Sequence, residues 1–172
     1  MQRRVLDPRT LAVTAVMIAL VFVLTRVIQI PTPAKGYVHL GDAGVFFSAF
    51  AFGPWIGAMA GGLGTALADA AGGYPQWAIF SFLIHGAQGL LAGWIVRRWP
   101  TIWGLLSAAV AGGAIVVGGY LLAGMILSGV AAAVAEVPMN ILQVAAGAVV
   151  AVPLFVAVRQ AYPPITRLVG PR

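Results

Sequence analysis

The sequence predicts an all-α integral membrane protein, a six-helix bundle. Three observations carry this. Of 172 residues, 61% are hydrophobic and only 8% charged, where a soluble domain carries about 25% charged residues. Several apolar runs reach the ~20 residues that a helix needs to cross a bilayer. Gly and Pro punctuate those runs at intervals that suit helix ends.

One domain is expected over residues 1–172. The first helix is placed at about 8–30: Pro8 suits a first turn, and "IPTPAKG" stops it with two prolines and a glycine. The segment before it resembles a signal peptide in having arginines ahead of an apolar stretch. That stretch is too long for one, and no small-residue cleavage site follows it, so a retained helix is expected. The second helix, about 42–52, starts at Asp42 as N-cap and ends at the Gly53-Pro54 turn; being short, it must be tilted, broken or covered by neighbours. The third, 54–71, ends at Gly72-Gly73. The fourth, 76–97, is closed by Arg98-Trp99-Pro100. The fifth spans about 101–127 and the sixth 138–159, with "SGVAAAVAEV" as a partly helical connection.

Six spans put both termini on one side. Arg3, Arg4, Arg9, Arg97, Arg98, Arg159, Arg167 and Arg172 fall there, and only Arg26 and Lys35 on the other. The positive-inside rule makes the termini cytoplasmic, in a plasma membrane. Trp94, Trp99 and Trp103 bracket the inner end of the fourth and fifth helices, as interfacial aromatics do. The net charge of +6 thus reads as topology and not as a nucleic-acid surface.

The stretch "GGLGTALADAAGGYP" extends a small-residue ridge. Positions 53, 57, 61, 65, 69 and 73 are Gly, Gly, Gly, Thr, Asp and Gly, four apart and so on one face. Such a face lets helices pack backbone to backbone, which supplies cohesion where lipid offers no hydrophobic drive. The third helix is therefore expected at the bundle's centre. A phosphate loop is excluded: Leu67 stands where the third glycine belongs, and no P-loop lysine follows. Ala15 and Ala19 form a second small pair, in the first helix.

Polar groups within spans are expensive and face a cavity or a partner. Here Arg26, His39, Asp42, Asp69, Gln76, Glu136 and Asn140 lie near outer helix ends. Gln143 is one turn deeper, and His85 and Gln88 are near the middle of the fourth helix. Tyr37, Tyr74, Trp77 and Phe80 share that outer half. Together they suggest an outward-facing aromatic pocket for a small, flat, polar ring compound. The binding candidates are Asn140, Gln143, His85, Gln88, Trp77, Tyr74, Asp69 and His39. Plainer roles stand beside these: Asp42 as a helix cap, Asp69 paired with Arg26, His39 at the interface, His85 as a packed neutral imidazole.

Other chemistries have little to work with. There is no cysteine, so no disulfide, thiolate metal site or Cys nucleophile. Two histidines 46 positions apart do not make a metal motif. Ser81 and His85 share a face at i, i+4 but lack an evident orienting acid, which leaves an intramembrane enzyme as the alternative. A stand-alone facilitator is a third reading. No cofactor is expected, and nothing in the chain could bind and hydrolyse ATP.

The ordered motifs H-L-G-D, G-P, G-x-G-x-x-x-A-D, G-Y and P-x-N-x-x-Q, running from "YVHLGD" to "EVPMNILQ", resemble the substrate-binding S components of energy-coupling factor (ECF) transporters. The likeness is to the riboflavin-transporter-like branch, which also holds pyridoxine and hydroxymethylpyrimidine binders. It implies six helices, a vitamin site in the outer half and a lid formed by the first outer loop, about 31–40. It further implies a membrane coupling subunit and two cytoplasmic ATPases as partners, with Ala15 and Ala19 docking on the coupling subunit. Many members of that family carry lysine where this chain has His85 and a glutamate near Gln88; if those positions touch the ligand, the resemblance implies a different ligand or ligand charge here.

Overall fold

Proline and glycine set most of the observed helix ends. The computed structural model describes residues 7–32 and 36–169; Arg3, Arg4, Lys35 and Arg172 lie outside them. Six helices follow in order: α1 (Pro8–Val27), α2 (Gly41–Phe52), α3 (Pro54–Gly72), α4 (Pro75–Arg98), α5 (Ile102–Ser128) and α6 (Val130–Ala161). Prolines open α1, α3 and α4, where a missing N–H costs nothing. Gly53, Gly73 and Gly129 adopt φ near +90° at the α2–α3, α3–α4 and α5–α6 joints, a conformation that side chains disfavour.

Two boundaries differ from expectation. The first helix stops at Val27, and Gln29–Pro31 (β1) pairs antiparallel with Tyr37–His39 (β2). Ile30 precedes a proline and is pushed toward extended backbone, and β2 then supplies the partners for its backbone. The fold is thus helical with one added hairpin. The sixth helix starts at Val130, so "VAAAVAE" is helical and Pro138 lies inside it. Alanine is the strongest helix former, and membrane helices tolerate an internal proline.

The polarity of the bundle is inverted relative to a soluble protein. Trp55, Ile79, Val110, Ile126 and Val149 are exposed, while Thr25, Asp42, Ser48, Thr65, His85 and Gln88 are buried. Four helices, α1, α4, α5 and α6, are long and apolar enough to cross a membrane, and the protein is a multi-pass membrane protein. Trp94, Trp99 and Trp103 are exposed at one end. At that end Arg97 donates to Phe52 O and Arg159 to Pro100 O, both at 3.4 Å. The hairpin sits at the other.

The centre of the bundle is α2 and not α3. At 12 residues it is only about 18 Å long, short of the ~30 Å apolar thickness. Every residue of it except Phe47 is buried, with α1, α3, α4 and α6 packed around it. Helix α3 has a lipid-side face carrying Trp55, Met59 and Leu67. Its glycine ridge works as expected, but against α4. A Cβ on Gly61 would lie 2.4 Å from His85 O, one on Gly89 2.2 Å from Gly57 O, and one on Gly93 2.5 Å from Pro54 N.

This close approach makes a prediction. Gly61→Ala forces α3 from the α4 backbone, an overpacking cost of about 1–3 kcal/mol. Gly118→Ala, with nothing within 4 Å of its added Cβ, gains the same helix propensity and is the control. In detergent, Gly61→Ala is expected to melt well below Gly118→Ala; equal melting temperatures would show that the backbone contact is dispensable.

Candidate functional site

The hairpin end of the bundle encloses a narrow cavity of about 50 Å³. Each wall comes from a different element. Tyr37 and His39 belong to β2, Asp69 to α3, Trp77 and Ser81 to α4, Tyr120 and Gly124 to α5, and Glu136, Asn140 and Gln143 to α6; Tyr74 stands at the α3–α4 joint. Asp69, Tyr74, Trp77, His39, Asn140 and Gln143 are therefore brought together. The Asn140 side chain makes no hydrogen bond among the described residues, and the residue lines the cavity.

His85 and Gln88 do not line this cavity. Both are fully buried and are engaged beneath it with Asp42, the group that the sequence suggests as a helix cap. Leu40 occupies the cap position and no side-chain cap bond forms. Instead Gln88 Nε2 donates to Asp42 Oδ1 at 2.6 Å and Gln143 Nε2 to Asp42 Oδ2 at 2.7 Å. His85 Nδ1 is 2.8 Å from Gln88 Oε1 and 3.5 Å from Asp42 Oδ1. Gln143 Oε1 accepts from the His39 backbone N–H at 3.1 Å. Glycines make room for this cluster: a Cβ on Gly147 would come within 2.5 Å of Asp42 Cβ, and one on Gly112 within 3.2 Å of Gln88 Cγ.

The hairpin is held down on the cavity by three side-chain bonds. Tyr37 donates its hydroxyl to Asp69 Oδ1, Thr32 donates to Glu136 Oε1, and Gln143 takes the His39 amide. The Tyr37 ring also packs on Tyr74, centroids 4.9 Å apart. Burial, with the Asp69 charge second, pushes the Tyr37 phenol above its ordinary value, so it remains a donor. Burial likewise lowers the His39 imidazole to about 4. It stays neutral, and its Nδ1 accepts from the Gly41 N–H at 3.1 Å. Arg26 does not take Asp69; it donates to Gln29 Oε1 at 3.1 Å.

The Ser81–His85 pair is not made. Ser81 Oγ bonds the Tyr120 hydroxyl at 2.6 Å, and the His85 nitrogen nearest a partner is taken by Gln88. Tyr120 was missed in the sequence, although a lone hydroxyl within "IVVGGYLLAG" was available as a signal. Ala15 and Ala19 lie on an exposed face of α1, whose buried residues are Met17, Val21 and Thr25. Neither belongs to the cavity or to packing inside the bundle.

Comparison with known proteins gives this geometry a family. The family described as ECF-type riboflavin transporter, S component, matches residues 5–160. The thiamine precursor transporter HmpT of Lactococcus lactis subsp. cremoris (strain MG1363) is 37% identical over 145 residues, 83% of this chain and 83% of that one. An uncharacterized protein in a gap 3′ region of Pyrococcus woesei is 39% identical over 131 residues, 76% of this chain and 88% of the relative. A solved chain, from "Structure and mechanism of the S component of a bacterial ECF transporter", superposes with TM-score 0.69 over 90% of this chain and 97% of its own. At 21% identity that match speaks for the fold alone.

Proposed function

We propose that this chain, which belongs to the ECF-type riboflavin transporter S-component family, captures a small single-ring vitamin precursor of the hydroxymethylpyrimidine or pyridoxine class. As a family member it is the substrate-binding subunit of a vitamin or vitamin-precursor importer, and not an enzyme. The observation that carries the narrower reading is the cavity itself. It is walled by Tyr74, Trp77 and Tyr120, with Asn140, Asp69 and Ser81 also on its lining. Aromatic walls with a few polar side chains among them suit a small flat ring that carries hydrogen-bonding atoms at its edge. The name of HmpT, a thiamine precursor transporter, points the same way.

Titration of the purified protein with hydroxymethylpyrimidine, pyridoxine and riboflavin tests this. One of the two small rings is expected to bind at least about tenfold more tightly than riboflavin. Asn140→Ala should weaken that binding about 5- to 150-fold, the range for leaving a buried partner unpaired. Riboflavin as the tightest ligand would overturn the assignment.

Delivery in this reading uses a coupling subunit and two ATPases, and the exposed Ala15 and Ala19 supply a smooth face of α1 for docking. Ala15→Leu with Ala19→Leu should leave ligand binding intact and abolish uptake in cells that carry the coupling module. Normal uptake by the double variant would remove this face from the interface, and uptake without any module would favour a facilitator.

The termini are cytoplasmic in this reading, since Arg97, Arg98, Arg159 and Arg167 gather at the end of the bundle opposite the cavity. A C-terminal reporter active only outside the cytoplasm is expected to stay silent. A signal from it would invert the orientation and place the cavity on the inner face.

A further inference from the structure

We infer that Asp42 is a positioning residue, which sets the amide orientation of Gln143 and through it holds the hairpin over the cavity. The reasoning needs only which atoms can donate. A backbone N–H donates, so the Gln143 atom facing the His39 N–H must be Oε1. Its Nε2 then points at Asp42 Oδ2, an acceptor. The other carboxylate oxygen takes Gln88 Nε2, which leaves Gln88 Oε1 toward His85 and requires that His85 carry its proton on Nδ1. One buried carboxylate thus dictates two amide orientations and one imidazole tautomer. The chain of donors runs inward to Asp42 from both ends, from β2 through α6 and from His85 through Gln88.

Asp42 does not line the cavity under the hairpin. It is 0% exposed, while Gln143 and His39 line the wall. Its effect on binding therefore passes through Gln143 to the hairpin. Replacing it by asparagine keeps the shape and supplies one acceptor and one donor where two acceptors were needed. One glutamine must then turn. If Gln143 turns, its Nε2 meets the His39 N–H, donor against donor, and the hairpin loosens. If Gln88 turns, its Nε2 faces His85, whose proton must move to Nε2, an atom with no partner among the described residues.

A paired substitution tests the polarity. In Asp42→Asn/Gln143→Glu the carboxylate moves one place along the chain. The introduced amide would accept from Gln88 and donate to the new carboxylate, whose second oxygen accepts the His39 N–H. Every donor again has an acceptor and the total charge is unchanged. Hydrogen exchange of the His39 amide is read by mass spectrometry on ligand-free protein, so this arm does not depend on the substrate assignment. Binding of hydroxymethylpyrimidine, the arm that rests on the proposed function, is measured separately.

Gln143→Glu alone sets two carboxylates face to face; above the pH at which they share a proton, protection of the His39 amide, corrected for intrinsic exchange, is expected to fall at least about fivefold, the lower bound for one unpaired buried group. Asp42→Asn is expected to have the same effect, or to move the His85 proton to Nε2, seen in the ring nitrogen shifts. The double variant should return exchange and ring shifts to wild-type values. A double variant as loose as either single one, or one that fails to fold, overturns the inference. So does an Asp42→Asn protein with both wild-type exchange and wild-type His85 shifts. If exchange behaves as expected but hydroxymethylpyrimidine binds none of the proteins, the positioning role stands and the substrate assignment falls.

Discussion

The structure depends on satisfying one fully buried carboxylate, that of Asp42. Asp42 sits near the start of the most buried helix, and an uncompensated charge there would cost far more than the helix could recover. Its two oxygens are met by Gln88 and Gln143, carried on helices α4 and α6 from opposite sides. Helices that must deliver a hydrogen bond to the same side chain cannot slide or rotate freely. The cluster thus sets the relative placement of α2, α4 and α6 more sharply than apolar packing alone, since interdigitated aliphatic side chains tolerate small shifts.

The small residues follow from the same requirement. Gly147 lets α6 approach Asp42, Gly112 clears space around Gln88, and Gly41 brings its N–H to His39 Nδ1. Along α3, Gly57 and Gly61 draw α4 close, which brings His85 and Gln88 within reach of α2. Lipid supplies no hydrophobic force between helices, so these contacts and the polar cluster are the available sources of cohesion. The cavity forms where the packing ends, above the cluster and below the hairpin.

That arrangement separates two tasks. In the buried layer Asp42 and Gln88 are taken up by internal bonds, while His85 bonds through Nδ1 and its Nε2 has no partner among the described residues. The layer above it holds Asn140 and the rings of Tyr74, Trp77 and Tyr120. In the proposed function the substrate meets this wall, over which the hairpin is held through Tyr37, Thr32 and His39. Preorganisation of this kind spares binding the cost of ordering those groups.

By itself the sequence determined the helices and their order, because hydropathy, proline and glycine act locally and lipid leaves the backbone few choices. Of the eight binding candidates it named, Asp69, Tyr74, Trp77, His39, Asn140 and Gln143 stand on the cavity, while His85 and Gln88 do not. It could not decide that α2 rather than α3 lies at the centre, since a short apolar helix and a glycine-rich one both read as interior. Nor could it decide the hairpin, whose six residues pair across a turn and carry only a weak local signal. The role of Asp42 was decided by tertiary structure alone. A carboxylate at a helix start reads locally as a cap, and only the approach of Gln88 and Gln143, 46 and 101 positions along the chain, turns it into the anchor of a buried network.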